Sequence, residues 1–359
     1  MQRRLQRARI ADVAREAGVS KTAVSFAFNT PDRLAASTAS HIRAVADELG
    51  YRPHPVARML TQRRTMTIGV LTPQSLAVVF ANPSFARFGE GIAEVAEAAG
   101  YELHFISPRS GSLAAAVARA TVDGVIALGL TGDHPELGQI RASGLPLVLV
   151  DGDHDAGGAS VQVDDAGGAR AAAKHVLDLG HREVLVVAIE RPEASLGGQQ
   201  GAVITNRLAG YRAAFEARGL DLGPESIVSA RASIADGKRA FREAWASGRR
   251  PTAVLAMSDA IAMGVVEAAR ELGRRVPADL SVVGFDDVDI AEIADPPLTT
   301  VHQPIREKGR EAARLLLEGL AGEPRRGEHA RQVRLATRLV VRSSTARVAT
   351  ARATPPRRV

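Results

Sequence analysis

The chain has 359 residues, room for one small and two medium domains. It has no cysteine, which excludes disulfides and thiolate metal sites, and no apolar run long enough to span a membrane. Its net charge of +6 is unevenly placed: through residue 64 eleven arginines and Lys21 face five carboxylates, a local +7, so the remaining chain carries −1. Basicity concentrated in this way suits contact with phosphates.

The first seven residues are basic but lack the apolar core of a signal peptide, so a cytoplasmic protein is expected. From Ile10 to Ser25 the chain reads as two short helices joined by a tight turn. Ile10, Val13, Ala14 and Ala17 share one face, and Gly18 stands where a left-handed turn residue is wanted. Ser20 can cap a second helix whose inner face carries Val24. This is the pattern of a helix-turn-helix, whose second helix enters the DNA major groove. A third helix is expected from about Ser37 to Leu49, stopped by Gly50. A helix-capable piece, His54 to Leu60, and the pair Arg63-Arg64 lead to a β-branched strand at Thr67–Leu71.

Further strands are expected at Glu102–Ser107, Gly124–Leu128, Leu147–Val150, Val184–Ala188, Val254–Met257 and Ser281–Phe285. Alanine-rich amphipathic helices separate them, for instance Phe88–Ala99 and Gly167–Leu179. Apolar strands alternating with helices indicate parallel sheets buried on both faces, and their number calls for two lobes. No G-x-G-x-x-G follows the first strand, no P-loop occurs and the histidines lack metal-ligand spacing, so neither an enzyme nor a cofactor is expected. A transport binding protein would share a two-lobed fold but would not carry the helix-turn-helix.

The segments Asp12-Val13-Ala14, Ala17-Gly18-Val19-Ser20, Leu49-Gly50-Tyr51-Arg52-Pro53 and Val56-Ala57-Arg58-x-Leu60 resemble the LacI/GalR family of bacterial transcription regulators. Downstream, Gly180-His181-Arg182, Asn206-Arg207-Leu208-Ala209-Gly210-Tyr211, Asp259-Ala260-Ile261, Val283-Gly284-Phe285-Asp286-Asp287 and Pro297-Leu298-Thr299-Thr300 continue the resemblance in order, over about residues 9 to 345. It implies an all-α head and hinge helix, followed by an α/β, two-lobed, periplasmic-binding-protein-like domain with parallel sheets. The domains expected are a DNA-binding domain at 1–53, a hinge at 54–65, an effector-binding and dimerisation domain at 66–345 and a disordered basic tail at 346–359. Lobe 1 would take about 66–162 and 304–330 and lobe 2 about 163–303 and 331–345, with crossings near 162, 304 and 330. The implied partners are a roughly palindromic double-stranded operator, a small-molecule effector (a sugar or polyol, with a purine or nucleoside as the alternative) and a second copy of the chain.

By the same resemblance Lys21, Thr22 and Phe26 meet base edges. Phe26 stands where a polar residue is usual; it either touches a thymine methyl or packs inward against the third helix. Ser20, Ser25, Asn29 and Thr38 are candidate phosphate contacts, each also explicable as a cap or turn former. Arg9 departs from the threonine that often caps the first helix. Leu60, helped by the small Ala57, is expected to wedge into a central minor-groove step; unstacking costs a few kcal/mol and bends the duplex. His54 replaces the usual hinge asparagine. In the cleft, Asp151, Arg207, Ser258, Asp259 and Asp286 match effector contacts at strand ends and helix starts, where open α/β sheets place ligands. Their carboxylates and guanidinium suit vicinal hydroxyls. Phe85 is a candidate to stack on a ring. Arg207 and Asp286 can alternatively pair with each other, and Asp259 can simply cap its helix. The Gly-rich stretch from Glu190 to Thr205 is expected to cover the cleft mouth.

Overall fold

The computed structural model describes residues 8–52, 64–108, 111–130, 132, 134–152, 158–190, 201–322 and 331–348. The chain falls into two units divided between Thr65 and Met66. The hinge residues His54, Ala57 and Leu60, and the centre of the Gly-rich stretch, lie outside the described residues.

In the N-terminal unit, helices α1 (Ile10–Glu16), α2 (Lys21–Asn29) and α3 (Ala36–Glu48) pack around Val13, Ala14, Val24, Ala27, Ile42 and Val45. Gly18 makes the turn at φ 66°, a conformation that costs any residue with a Cβ. The Ser20 hydroxyl accepts from Ala23 N–H at 3.1 Å and fixes the start of α2. The backbone N–H of Arg9 donates to the Asp12 carboxylate at 2.9 Å, so Asp12 closes the start of α1 where the capping threonine is missing. Arg43 on α3 donates twice to the Ala27 carbonyl, at 2.9 and 3.1 Å, and ties the third helix to the end of the second.

The larger unit holds two six-stranded sheets. The first contains β1 (Thr67–Leu71), β2 (Glu102–Ile106), β3 (Gly124–Leu128), β4 (Leu147–Val150), β5 (Ala159–Val163) and β11 (Gln332–Leu335), in the order β11-β5-β4-β3-β1-β2, all parallel. The second contains β6 (Val184–Ile189), β7 (Ile227–Ala230), β8 (Ala253–Ala256), β9 (Ser281–Asp286), β10 (Thr299–His302) and β12 (Arg338–Val340), in the order β12-β10-β9-β8-β6-β7. Among the described strands of this sheet only β12 is antiparallel, paired with β10 at the edge. The central strands are buried on both faces, as their unbroken apolar runs require.

The chain crosses between lobes at Asp164, at 303–304 and at 336–337. The third crossing is a correction to the expectation near 330, and residues 331–335 belong to the first lobe. There β11 pairs in parallel with β5 before the chain leaves. The first and third crossings are bonded together: Asp164 N–H donates to the Leu335 carbonyl at 2.9 Å, and the Thr337 hydroxyl to the Asp164 carbonyl at 2.8 Å. Placing residues 346–348 in a tail is also corrected. His181 meets the Ala346 carbonyl at 3.0 Å, and Val348 N–H donates to the Leu179 carbonyl at 3.0 Å, so residues 346–348 are part of the second lobe.

Two helices of the first lobe position the cleft. These are α5 (Pro83–Ala98), which follows the short α4 (Leu76–Phe80), and α13 (Ile305–Leu320), which follows the second crossing. Asn82 accepts from Ser84 N–H at 3.0 Å and Pro83 fills the first turn, so α5 starts five residues before the expected Phe88. The two helices touch backbone to backbone: a Cβ on Gly91 would lie 2.0 Å from the Arg306 carbonyl, and one on Gly309 would lie 2.2 Å from that of Phe88. This close crossing brings Ser84, Phe85 and Lys308 to one cavity.

Candidate effector site and DNA-reading surface

Five of the six cleft residues singled out from sequence line one cavity of about 170 Å³: Phe85, Asp151, Arg207, Ser258 and Asp286. Asp151 follows β4 and Asp286 closes β9, so both sit at carboxyl ends of strands, one in each lobe. Both hold a backbone conformation rare for a side chain with a Cβ, at φ 56° and 127°. Strain of this kind is kept only where the surroundings over-determine it, and it clusters at binding sites.

Each side chain is held by named partners. Asp286 accepts from the Ser84 hydroxyl at 2.8 Å and from the Gln303 amide, which joins both lobes and the second crossing through one carboxylate. Asp151 accepts from Lys308 Nζ at 2.7 Å. Arg207 lies within α9 (Gly201–Glu216), two turns from its first described residue, rather than at the helix start as the sequence suggested. Its Nε donates to Asp165 at 2.8 Å, its Nη1 donates to the Met257 carbonyl, and its guanidinium carbon stands 3.5 Å from the Phe285 ring centre. The Arg207–Asp286 pairing is therefore not the one adopted; Asp165, at the start of α8 (Asp165–Asp178), is the partner. Burial pushes the Asp165 and Asp286 carboxyls up, while Arg207 pulls both down. Ser258 lines the cavity and also caps α11 (Asp259–Glu271), accepting from Ile261 N–H at 3.2 Å. Phe85 packs edge-on against Phe80 and Phe105, at 5.2 and 5.7 Å, and forms part of the apolar wall.

Asp259 is the correction. It does not line the cavity. It is fully buried, accepting from Val288 N–H at 2.9 Å and from the Thr300 hydroxyl. Its carboxylate fills the space a Cβ on Gly284 would need. It fastens the start of α11 to β10 and to the turn after β9, a structural role. Burial, with the neighbouring Asp286 charge adding to it, pushes the Asp259 carboxyl up to about 8. Such a group holds its proton more tightly folded than unfolded. Its contribution to stability is full below about 4 and is lost as pH rises through about 8. Asp259→Asn is expected to flatten this decline in melting temperature between pH 5 and 8, read by calorimetry. A variant with the wild-type slope would place the titration elsewhere.

The residues that sequence reasoning missed are the second partners: Ser84, Asp165, Gln303 and Lys308. Two further contacts join the lobes or their helices: Arg87 pairs with Asp289 across the cleft, and Arg310 with Glu94 between α13 and α5 at 2.7 Å. No helix among the described residues is long and apolar enough to cross a membrane.

On the N-terminal unit Lys21 and Thr22 are exposed in the first turn of α2. Phe26 is half-buried and does not join the core. The aromatic side chain packed inward is Phe28, edge-on to Tyr51 at 5.8 Å, whereas Phe26 lies under the Arg33 guanidinium at 5.4 Å. The Asn29 amide donates to the Ser25 hydroxyl at 3.2 Å, and Thr38 is half-buried in the first turn of α3.

Residues 9–54 match bacterial regulatory proteins of the lacI family, and residues 173–345 match the periplasmic binding protein-like domain. The regulator CelR of Thermobifida fusca is 33% identical over 92% of this chain and 96% of its own. A solved CelR–cellobiose complex is 31% identical and covers 94% of this chain and 100% of its own, with a TM-score of 0.68. The lac repressor dimer, solved on its operator with an anti-inducer, is 26% identical and covers 95% of this chain and 100% of its own, with a TM-score of 0.79. A helix-turn-helix with an exposed recognition helix, two lobes of largely parallel sheet around a cavity that carries charged groups, and whole-length similarity to these regulators lead to one conclusion: the chain belongs to the lacI family of bacterial regulatory proteins, which are transcription regulators and not enzymes.

Proposed function

We propose that this protein is a cytoplasmic repressor that binds a roughly two-fold symmetric operator as a homodimer and is controlled by a sugar or related polyol held in the cleft. The observation that carries the reading is the cavity itself. Charged and hydroxyl groups from both lobes converge on about 170 Å³ of space whose wall is otherwise largely apolar, with Phe85, Phe88 and Leu128 from the first lobe and Ile189, Ile204 and Met257 from the second. That volume is below the roughly 300–1,000 Å³ of sites for drug-sized ligands, which suits a single sugar ring. The similarity to CelR, solved with cellobiose, supports a carbohydrate, and the similarity to the lac repressor, solved as a dimer on its operator, supports one recognition helix per half-site. A ligand touching both lobes changes operator affinity only if it binds the DNA-bound and free states differently, typically by 1–3 kcal/mol.

The test is a thermal-shift screen of monosaccharides, disaccharides and purine bases on the full chain. It is followed by operator titration with and without the best binder. A sugar that stabilises the protein and changes operator affinity supports the reading; a purine that does so instead replaces it. On the DNA side, Lys21→Ala is expected to weaken operator binding by roughly 1–3 kcal/mol and to relax preference at one base position. A uniform loss on specific and random duplexes would make Lys21 a phosphate contact. Phe26 and Thr22 complete the base-reading set in this proposal, with Ser20, Ser25, Asn29 and Thr38 at the phosphates.

A further inference from the structure

The polar groups of the cleft form one chain of bonds. Lys308 Nζ donates to Asp151 at 2.7 Å and reaches Gln303 Oε1 at 3.5 Å. Gln303 donates to Asp286, which also accepts from Ser84. Lys308 faces the cavity from α13 with a side chain only 7% exposed. An ammonium is held in such a place only against a carboxylate, and Asp151 is that carboxylate. The other Asp151 oxygen, Oδ1, is buried and has no hydrogen-bond partner among the described residues. A buried acceptor of this kind calls for a donor.

We propose that Lys308 is an effector-contacting residue and that the Asp151–Lys308 pair selects a neutral polyol. This rests on the reading of the cleft as a sugar site. An ammonium has three N–H donors, and two point at Asp151 and Gln303, so one remains for the ligand. A hydroxyl both donates and accepts. One sugar hydroxyl donates to Asp151 Oδ1, and its vicinal neighbour accepts from Lys308. A carboxylate or phosphate group placed against the pair only accepts, so it leaves Asp151 Oδ1 unsatisfied. Charge excludes it a second time. Both cations of the wall are already matched, Arg207 by Asp165 at 2.8 Å and Lys308 by Asp151 at 2.7 Å. Asp286 adds a further carboxyl bonded only to neutral donors. Among the described residues an anionic ligand finds no spare cation there.

The experiment uses the full chain and calorimetric titration with monosaccharides, each as the neutral sugar, its uronate and its 6-phosphate, together with the monodeoxy analogues of whichever sugar binds and the common purine bases. The neutral sugar is expected to bind at least tenfold more tightly than its uronate and phosphate. One deoxy analogue is expected to lose at least tenfold in the wild type. Lys308→Met is expected to lose at least tenfold for the parent sugar and to distinguish that analogue from it no longer. Lys308→Arg keeps the charge against Asp151 but moves the donors. It is expected to fold and to lose the same discrimination, which keeps the test decisive if the methionine variant does not fold. Preference for the uronate or phosphate overturns the inference while leaving a sugar site. So does a Lys308 variant that keeps the wild-type deoxy profile. Binding of a purine alone, or of nothing in the panel, overturns the sugar reading and the inference with it.

Discussion

Replacing Arg207 by alanine is expected to lower the stability of the cleft-bearing unit by about 3–5 kcal/mol, besides removing a side chain that lines the cavity. Arg207 and Asp165 form a pair whose side chains are 4% and 5% exposed. Taking away the guanidinium leaves the Asp165 carboxyl in a medium that penalises its charge, with the opposing Arg207 attraction gone. The cation stacked on Phe285 and the donor to the Met257 carbonyl go with it. The check is urea denaturation of Arg207→Ala, of Asp165→Asn and of the double variant. The double variant is expected to regain much of the loss, because the uncompensated charge and not the missing contact dominates. Operator binding by the folded fraction should persist, since the recognition helix lies in the separate N-terminal unit. An Arg207→Ala protein with the wild-type urea midpoint would show that this buried pair contributes little.

That expectation could not have been written from sequence, where Asp286 stood as the alternative partner of Arg207 and Asp165 was not singled out. What sequence showed well was local. Gly18, the Ser20 cap and the apolar face of Val13 and Ala14 lie within a dozen residues, so their periodicity discloses the helix-turn-helix directly. Central strands such as Val184–Ile189 and Ala253–Ala256 disclose themselves as apolar runs. β5 was hidden because Ser160 and Gln162 are polar yet buried, with Gln162 satisfied by the Gly152 carbonyl. β10 was hidden in the same way by Thr299 and Thr300, whose hydroxyls bond Thr345 and Asp259. The second partners of the site were illegible for a different reason. Lys308 meets Asp151 across 157 residues of chain and Ser84 meets Asp286 across 202, distances that no local pattern encodes. One faint signal existed: the chain has only four lysines among 46 basic residues, and two of them, Lys21 and Lys308, fall in the two candidate sites. Ser258 and Asp259 show the limit most clearly. They are adjacent, and only the fold reveals that Ser258 faces the cavity while Asp259 is turned beneath Gly284.

Asp286→Ala, by contrast with Arg207→Ala, is expected to remove the effector response at concentrations that suffice for the wild type, while leaving a folded protein that still binds its operator. The groups it strands are neutral donors, the Ser84 hydroxyl and the Gln303 amide, both beside a cavity that water can enter. No buried cation loses its only carboxylate, because Arg207 keeps Asp165 and Lys308 keeps Asp151. What is lost is a carboxylate bonded at once to the first lobe and to the crossing between lobes, on the wall where a sugar hydroxyl would donate. A hydrogen bond to a charged group contributes about 1.5–3 kcal/mol, so effector affinity should fall by roughly one to two orders of magnitude. That range matches the 1–3 kcal/mol over which ligands typically couple to DNA. Asp286→Asn keeps one acceptor in the same φ 127° backbone and is expected to fall between alanine and the wild type. The measurement is operator affinity with and without saturating effector for the three proteins, alongside their melting temperatures. If Asp286→Ala melts like the wild type and is still released from, or driven onto, its operator at the wild-type effector concentration, the cavity between Asp151 and Asp286 is not where the effector acts.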